Sequence, residues 1–369
     1  VNNLMGGDAY LQTDNVNNDP NPVQRQTYDA DPNFWVFSDI DSEEKIDYYN
    51  DGLVRWAGTF GQLEYTNDII SAFVQGSISN QGFKRVEYFG ELEGSQETDW
   101  ENIIGGNIKG GLNWNIDERH NIYANAGYYS KQPLFDAVFI NFGNNLNPDL
   151  QNEQVIGTEI GYGFRSSFFS ANVNLYRTSW ADRFESTGAV FNAETPQEVR
   201  GTANLYGITQ VHTGFELDFT GRISDKLRYN GMMSIGNWEY QDDVETAYFD
   251  NDQSPILDEN GNPQTATLAL DGVKVGDAAQ FTASLGADYT IIEGLRVDAN
   301  YRYVDNLYAD FDATDALGEE NFEALKLPSF GLVDAGASFR LPIGQNNNNL
   351  NFRVNVNNVF DTMYISEAD

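Results

Sequence analysis

His120 and His212 are the only histidines in the chain, and there is no cysteine. Thiol chemistry is therefore excluded, and acid–base or metal chemistry has few carriers. The sequence predicts His120 in a short turn and His212 on the polar face of a strand, and neither has a second ligand at metal-binding spacing. The stretch DNDQSPILDENGN (250–262) gathers acids around a glycine turn. It lacks the ligand spacing and terminal glutamate of an EF-hand loop, and DIDSEEKID (39–47) is no better placed. The expectation is a protein without catalytic residues and without a resident cofactor or metal. If one of these loops holds an ion, Ca2+ is the natural choice. The net charge of −35, from 56 acidic against 21 basic residues, would repel phosphates, so nucleic acid is not an expected partner.

The other residues that stand out do so by alternation. Phe169, Ala171, Val173 and Leu175 interleave with Ser170, Asn172, Asn174 and Tyr176. Val211, Phe215, Leu217 and Phe219 interleave with His212, Gly214, Glu216 and Asp218. Val333 to Leu341 alternate with Asp334, Gly336, Ser338 and Arg340, and Leu350 to Val356 with Asn351, Arg353 and Asn355. A period of two is that of a β-strand with one apolar and one polar face. The polar faces mix both charge signs with Asn, Ser and Gly, which is chemistry for binding and solvation rather than for bond breaking.

The elements that carry these residues recur along the chain. From residue 51 onward, strand-like segments come in pairs joined by short turns such as TND (66–68), DERH (117–120), RSS (165–167), SDK (224–226) and IIEG (291–294). About twelve strands of about ten residues result. The links between pairs are longer, roughly 15 to 35 residues, beyond what compact domains normally leave unstructured. They hold much of the acid, as in ELEGSQETDWEN (91–102) and ADFDATDALGEENFEAL (309–325). Residues 1–50 are polar and turn-rich, and are expected to form a separate loop region. The opening VNNLMGGDAY has neither the basic nor the apolar part of a secretory signal, which is expected of a processed or partial chain.

Mean hydropathy is −0.49, and no apolar run approaches the ~18 residues of a spanning helix. Strands of about ten residues, tilted, do span a bilayer, and half of each spanning strand can be polar. Aromatics make up 14% of the chain and glycines number 34, a composition suited to β-structure with many turns and to aromatic girdles at membrane interfaces. The expected fold is therefore all-β, a transmembrane antiparallel β-barrel with the apolar series on lipid. The alternative is a soluble secreted β-sandwich adhesin, in which the apolar series is the core. Glu159, Asn172, Asn174, Glu216, Asp218, Asp298, Asp334 and Arg353 are the expected lumen-facing residues of a possible substrate path. Trp114, Tyr162 and Phe169 are the expected membrane anchors. Phe34, Trp35, Phe37, Phe135 and Phe139, in the long links, are candidates for ligand or partner contact or for packing of the loops on one another.

Four stretches carry a family resemblance. NPDLQNEQVIGTEIGYGF (147–164), with Glu159 and Gly161 two apart, resembles the loop-to-strand segment of TonB-dependent outer-membrane receptors. VNVNNVFDTMY (354–364) resembles their penultimate strand, and GVKVGDAAQF (272–281) and GYYSKQPLFDAVF (127–139) resemble the receptors of Bacteroidota. The resemblance spans about residues 50 to 364 and implies a barrel of twenty-two strands around an N-terminal plug. The strands here would then be the tenth to the twenty-first, with every long link outside the cell. The chain 51–369 would be the C-terminal part of the barrel, with the plug, the first strands and the closing strand lying outside it. The implied function is import of a scarce nutrient (a siderophore complex, glycan, peptide or vitamin) across the Gram-negative outer membrane. The implied partners are membrane lipid, TonB acting through the plug, and a surface lipoprotein. A passive porin is the other membrane reading.

Overall fold

The computed structural model describes residues 9–12, 24–28, 50–88, 96–140, 143–191, 199–250, 254–258, 260–310, 322–343 and 348–368. In chain order the elements are β1 (Ala9–Gln12), β2 (Gln24–Tyr28), β3 (Asn50–Thr66), β4 (Ile70–Glu87), β5 (Glu101–Asn115), β6 (His120–Lys131), α1 (Phe135–Val138), β7 (Glu153–Arg165), β8 (Phe169–Phe191) and β9 (Val199–Arg222). They continue with β10 (Leu227–Gln241), β11 (Val244–Asp250), β12 (Thr265–Leu268), β13 (Phe281–Ile292), β14 (Leu295–Asp305), β15 (Phe330–Ile343) and β16 (Asn348–Val356). β1 and β2 pair with each other. Twelve strands, β3 to β10 and β13 to β16, form one continuous path of an antiparallel sheet, each paired with the next of the twelve, so that β10 pairs with β13.

The short turns are held by side chains that mimic a backbone turn. Asn67 Oδ1 accepts the amides of Ile69 and Ile70, both at 2.8 Å. Asp117 Oδ1 accepts those of Arg119 at 2.7 Å and His120 at 2.9 Å, and Ser166 Oγ that of Phe169 at 3.0 Å. Ser224 Oγ receives Lys226 and Leu227. Asn, Asp and Ser are the residues that offer this bond. The amide of Arg119, chiefly, holds the Asp117 carboxyl below its ordinary range. His120 thus opens β6 rather than sitting inside the turn.

These turns lock the register, and the register keeps each series on one face. Ile160, Leu175, Phe215 and Ile235 are directly opposite one another across β7 to β10. So are Gly161, Asn174, Glu216 and Ser234. Among the described residues nothing covers the apolar face: Ile108, Ile160, Leu175 and Leu285 are each more than half exposed. A soluble sandwich requires a second large sheet over this face; among the described residues the β1–β2 pair is the only strand pairing outside the large sheet, and the clefts of the large sheet open on its polar side. The sandwich alternative is thereby overturned, and the sheet has the two faces of a barrel wall.

The twelve strands of this path run from 9 to 24 residues, so the expected length of about ten describes only their inner parts. The link expected between Trp180 and Val211 is mostly strand, because β8 and β9 are 23 and 24 residues long. Bulges hide this from the sequence. Asp182 has φ 58° and Gly207 φ 78°, and the β8–β9 register shifts between Trp180 and Glu185. An inserted residue resets which parity faces which side, so a fixed period of two is lost there. The acidic link after β10 is also partly strand: β11 pairs with the outer part of β9 and with β12. At the other end β16 stops at Val356, and Asn358, with φ 48°, turns the chain.

The packed hydrophobic clusters lie at the long-link end. Leu205, Ile208, Leu268 and Leu270 form one; Phe83, Val138 and Phe139 form another. They fold the outer strands and links onto the sheet.

Candidate functional site

The eight expected lumen residues all fall on the polar, concave face, in two groups. On β7 to β9, Asn174 Nδ2 lies 3.3 Å from Glu159 Oε2 and 3.4 Å from Glu216 Oε2. One rung nearer the short turns, Asn172 Nδ2 donates to Asp218 Oδ1 at 3.1 Å. Antiparallel pairing produces this alignment, because Asn174 is opposite Glu216 and Asn172 is opposite Asp218. Three carboxylates here are met by amides rather than cations. The second group is on β14 to β16. Arg353 Nη2 binds Asp298 Oδ2 at 2.9 Å, and its Nη1 binds the other oxygen of the same carboxylate at 2.5 Å. Asp334 Oδ1 accepts the Asn358 amide at 2.8 Å, and its other oxygen is 3.5 Å from Arg302. The wall is thus negative on β7 to β9 and charge-compensated on β14 to β16.

Sequence reasoning passed over several residues of the same face. Asn125 donates to Glu159 Oε1, and Trp238 Nε1 donates to Tyr176 OH at 2.9 Å. Lys109, Tyr129 and Tyr176 join Glu159, Asn174 and Glu216 around a cleft of about 390 Å³. Arg228 and Arg296 both reach Asp288, at 2.9 and 3.4 Å. The alternation that marked Asn172 and Asn174 applies equally to these strands. His212 stacks on Trp238 with centroids 5.3 Å apart, and its Nε2 is buried without a partner in the structure.

The opposite face carries the expected anchors. Near the short turns a chain of rings crosses β6 to β9: His120 to Phe164 at 5.0 Å, Phe164 to Phe169 at 6.2 Å, and Phe169 to Phe219 at 6.4 Å. Tyr162 joins it through a 2.6 Å contact of its hydroxyl with His120 Nδ1. Trp114 lies one strand before it, opposite Ile122.

At the long-link end, the segment after β6 folds inward over β4. Asn147, first residue of the Asn-Pro-Asp-Leu motif, is buried and ties this fold together. Its Nδ2 donates to Ala137 O at 2.9 Å, and its Oδ1 accepts Tyr206 OH at 2.8 Å and the Asp149 amide at 3.0 Å. Burial pushes the Tyr206 hydroxyl up to about 12, with the nearby Asp149 carboxylate adding to the shift. Phe139 is only 3% exposed and belongs to the packed cluster, so it is not presented to solvent. Phe135 is half-buried, 5.2 Å from the Phe139 ring, and borders a cleft of about 550 Å³. Phe34, Trp35 and Phe37 lie outside the described residues.

Asp258, within the acidic loop considered for Ca2+, spends Oδ1 on the amides of Asn260 and Asn262, both at 2.8 Å. Among the described residues no group of three or more His, Cys, Asp or Glu is placed to hold a metal ion.

Residues 2–359 match the family model described as TonB dependent receptor-like, beta-barrel. Among curated proteins, the chain is 24% identical over 295 residues to the catecholate siderophore receptor Fiu of Escherichia coli K12, covering 76% of this chain and 32% of that protein. Among solved structures, that of Fiu aligns with a TM-score of 0.56 at 16% identity, over 94% of this chain and 46% of that one. The siderophore receptor PiuA from Acinetobacter baumannii gives 0.57 at 16%, over 86% and 41%. The copper transporter OprC gives 0.58 at 12%, over 86% and 45%. These proteins are receptors and transporters, not enzymes, and the chain spans about a third of the length of the curated relative it matches. With the family model covering nearly all of the sequence and a large antiparallel sheet of the expected two faces, the chain belongs to the TonB-dependent receptor family and forms strands of its β-barrel.

Proposed function

We propose that this chain is wall and extracellular mouth of a TonB-dependent transporter that imports a scarce nutrient across the Gram-negative outer membrane. The observation that carries this is the two-sided sheet: an uncovered apolar face for lipid, and a polar concave face bearing Glu159, Asn174, Glu216 and Asp218 for a hydrated interior. The short turns face the periplasm and the long links the outside, the asymmetry of outer-membrane barrels. The strands are the tenth to twenty-first of a twenty-two-stranded barrel, in its C-terminal part. The sequence motifs favour the Bacteroidota branch. A plug fills the lumen against the Glu159–Glu216 wall, and TonB acts on it. The cargo is a siderophore complex, glycan, peptide or vitamin, delivered in some cases by a surface lipoprotein. The reading includes no resident cofactor.

Deletion of the gene in its host, with uptake of radiolabelled iron complexes, oligosaccharides, peptides and cobalamin measured with and without a protonophore, tests it. The expected result is loss of uptake of one class, and the same loss when the proton gradient is collapsed. Uptake that persists without the gradient, or steady conductance of the purified protein in planar bilayers, would favour the passive porin instead.

A further inference from the structure

We propose that the cleft between α1 and the outer part of β8 binds a ring-bearing cation and discriminates against anionic aromatic ligands. Calling that ligand cargo rests on the transporter reading; the binding itself does not.

The cleft measures about 550 Å³ and is bounded by Gly52 of β3, Arg85 of β4, Leu134 and the helix α1, and residues 184–188 of β8. Pockets of this size take small organic molecules. Its lining departs from that of the 390 Å³ cleft, where Lys109, Asn125, Glu159, Asn174 and Glu216 are part of the wall. Here Phe135 and Phe184 supply ring surface. Both rings are fixed from behind: Phe135 stands 5.2 Å from Phe139 and 6.2 Å from Phe83, and Phe184 stands 5.2 Å from Tyr206. A ring already held by packing loses little freedom when a ligand settles on it, so its binding energy is not consumed in ordering.

The charged side chains that line the cleft are Arg85, Asp136 and Glu185. Arg85 is its basic side chain, but it is only 4% exposed, with its guanidinium on Glu87 at 2.6 Å and on Asn144 at 3.1 Å. It has little left to offer an anion. Asp136, in the first turn of α1, is exposed at the edge and carries the negative charge offered to a ligand, while Glu185 on the facing wall is paired with Arg183 at 3.5 Å. A cation lying on an aromatic face with a carboxylate nearby gains from both the ring quadrupole and the ion pair. An anion such as a deprotonated catechol meets Asp136 and finds its countercharge already taken. The cleft therefore opposes the ligand class in the name of the curated relative, although the folds align.

Two indoles of the same ring and opposite charge test this: tryptamine and indole-3-acetate, titrated by ligand-observed NMR against the full-length receptor in detergent. Tryptamine is expected to bind about tenfold more tightly, or about 1.4 kcal/mol. Phe135→Leu, which keeps apolar bulk and removes the π-face, should weaken tryptamine about threefold or more. Asp136→Asn should shrink the preference to about threefold or less, with heat-modifiable gel mobility unchanged in both variants. Equal binding of the two indoles, a preference for indole-3-acetate, or tryptamine binding indifferent to both substitutions overturns the proposal. None of these readings needs TonB or transport, so a receptor that fails the uptake assay can still pass this one, and the reverse.

Discussion

The indole N–H of Trp238 on β10 donates to the phenol oxygen of Tyr176 on β8 across the intervening strand β9, at 2.9 Å. The residue on β9 opposite Tyr176 is Gly214. A Cβ there would stand 2.4 Å from the Tyr176 ring. The bare backbone is what allows the tyrosine to lie across the sheet and meet a partner two strands away.

Gly214→Ala should therefore displace the ring, break the bond to Trp238 and cost about 1–3 kcal/mol by overpacking. Trp238→Phe, which removes only the donor, should cost about 0.5–1.5 kcal/mol. Urea-dependent loss of the fast-migrating folded form on unheated gels measures both. If alanine at 214 proves the milder change, the packing account is wrong.

Val173 and Asn172 are neighbours on opposite faces of β8. Val173 lies opposite Tyr162 and Leu217 on the apolar side, and Asn172 bonds Asp218 on the polar side. Val173→Arg should cost about 2–4 kcal/mol at mid-bilayer depth, and Asn172→Arg much less. The same gel assay on the full-length protein reads the difference. Equal tolerance at both positions would contradict the assignment of lipid and lumen faces.

Asn147 joins the segment after β6 to the outer strand β9. Asn147→Ala leaves Ala137 O and Tyr206 OH without their partner and should destabilise this outer fold by about 1–3 kcal/mol. Faster cleavage by an added protease within 132–152, with the barrel itself intact, is the expected result.

The same cluster predicts a response to alkali. The Tyr206 hydroxyl titrates at about 12 in the fold, above its ordinary value of 10.0. The unfolded segment loses this proton first, so the contribution is whole below pH 10 and is lost as pH rises towards 12. Protection of 132–152 should fall across that window. Tyr206→Phe should remove this part of the pH dependence, as followed by proteolysis at stepped pH.

Asp258 closes its loop with backbone hydrogen bonds, chiefly that from Asn262, which hold its carboxyl below the ordinary range. A depressed carboxyl contributes above its unfolded value of about 3.9 and is lost as pH falls through the folded one. Asp258→Ala should loosen residues 257–263 at neutral pH, seen as faster amide hydrogen exchange at Asn260 and Asn262. Identical exchange in variant and parent would show that the carboxylate does not hold the turn.

Much of the barrel was legible because its signal is local. A spanning strand must present apolar groups to lipid and polar groups inside, so Phe169 to Tyr176 alternate and declare both faces. The turns were legible at Asn67, Asp117, Ser166 and Ser224, since each side chain closes its own turn within three residues. The lumen set followed from the same alternation, and for Glu159, Asn172, Asn174, Glu216 and Asp218 it led to residues that the sheet brings into contact.

The outer parts of the strands were not legible. Past Trp180 the bulges around Asp182 and Gly207 shift the parity, and β8 and β9 read as loop although they pair almost to their tips. The inward fold of Phe135 and Phe139 had no periodic signature either, because burial there depends on Phe83, more than 50 residues earlier.

What the sequence by itself determined is the face on which each strand residue lies, because the backbone of a strand alternates whatever its neighbours are. What only the tertiary structure decided is which residues meet across the strands. Asn174 stands between Glu159 and Glu216, Arg353 is committed to Asp298, and Arg85 is withdrawn beside Glu87. Those pairings depend on register and bulges, and register is a relation between strands that no single strand encodes.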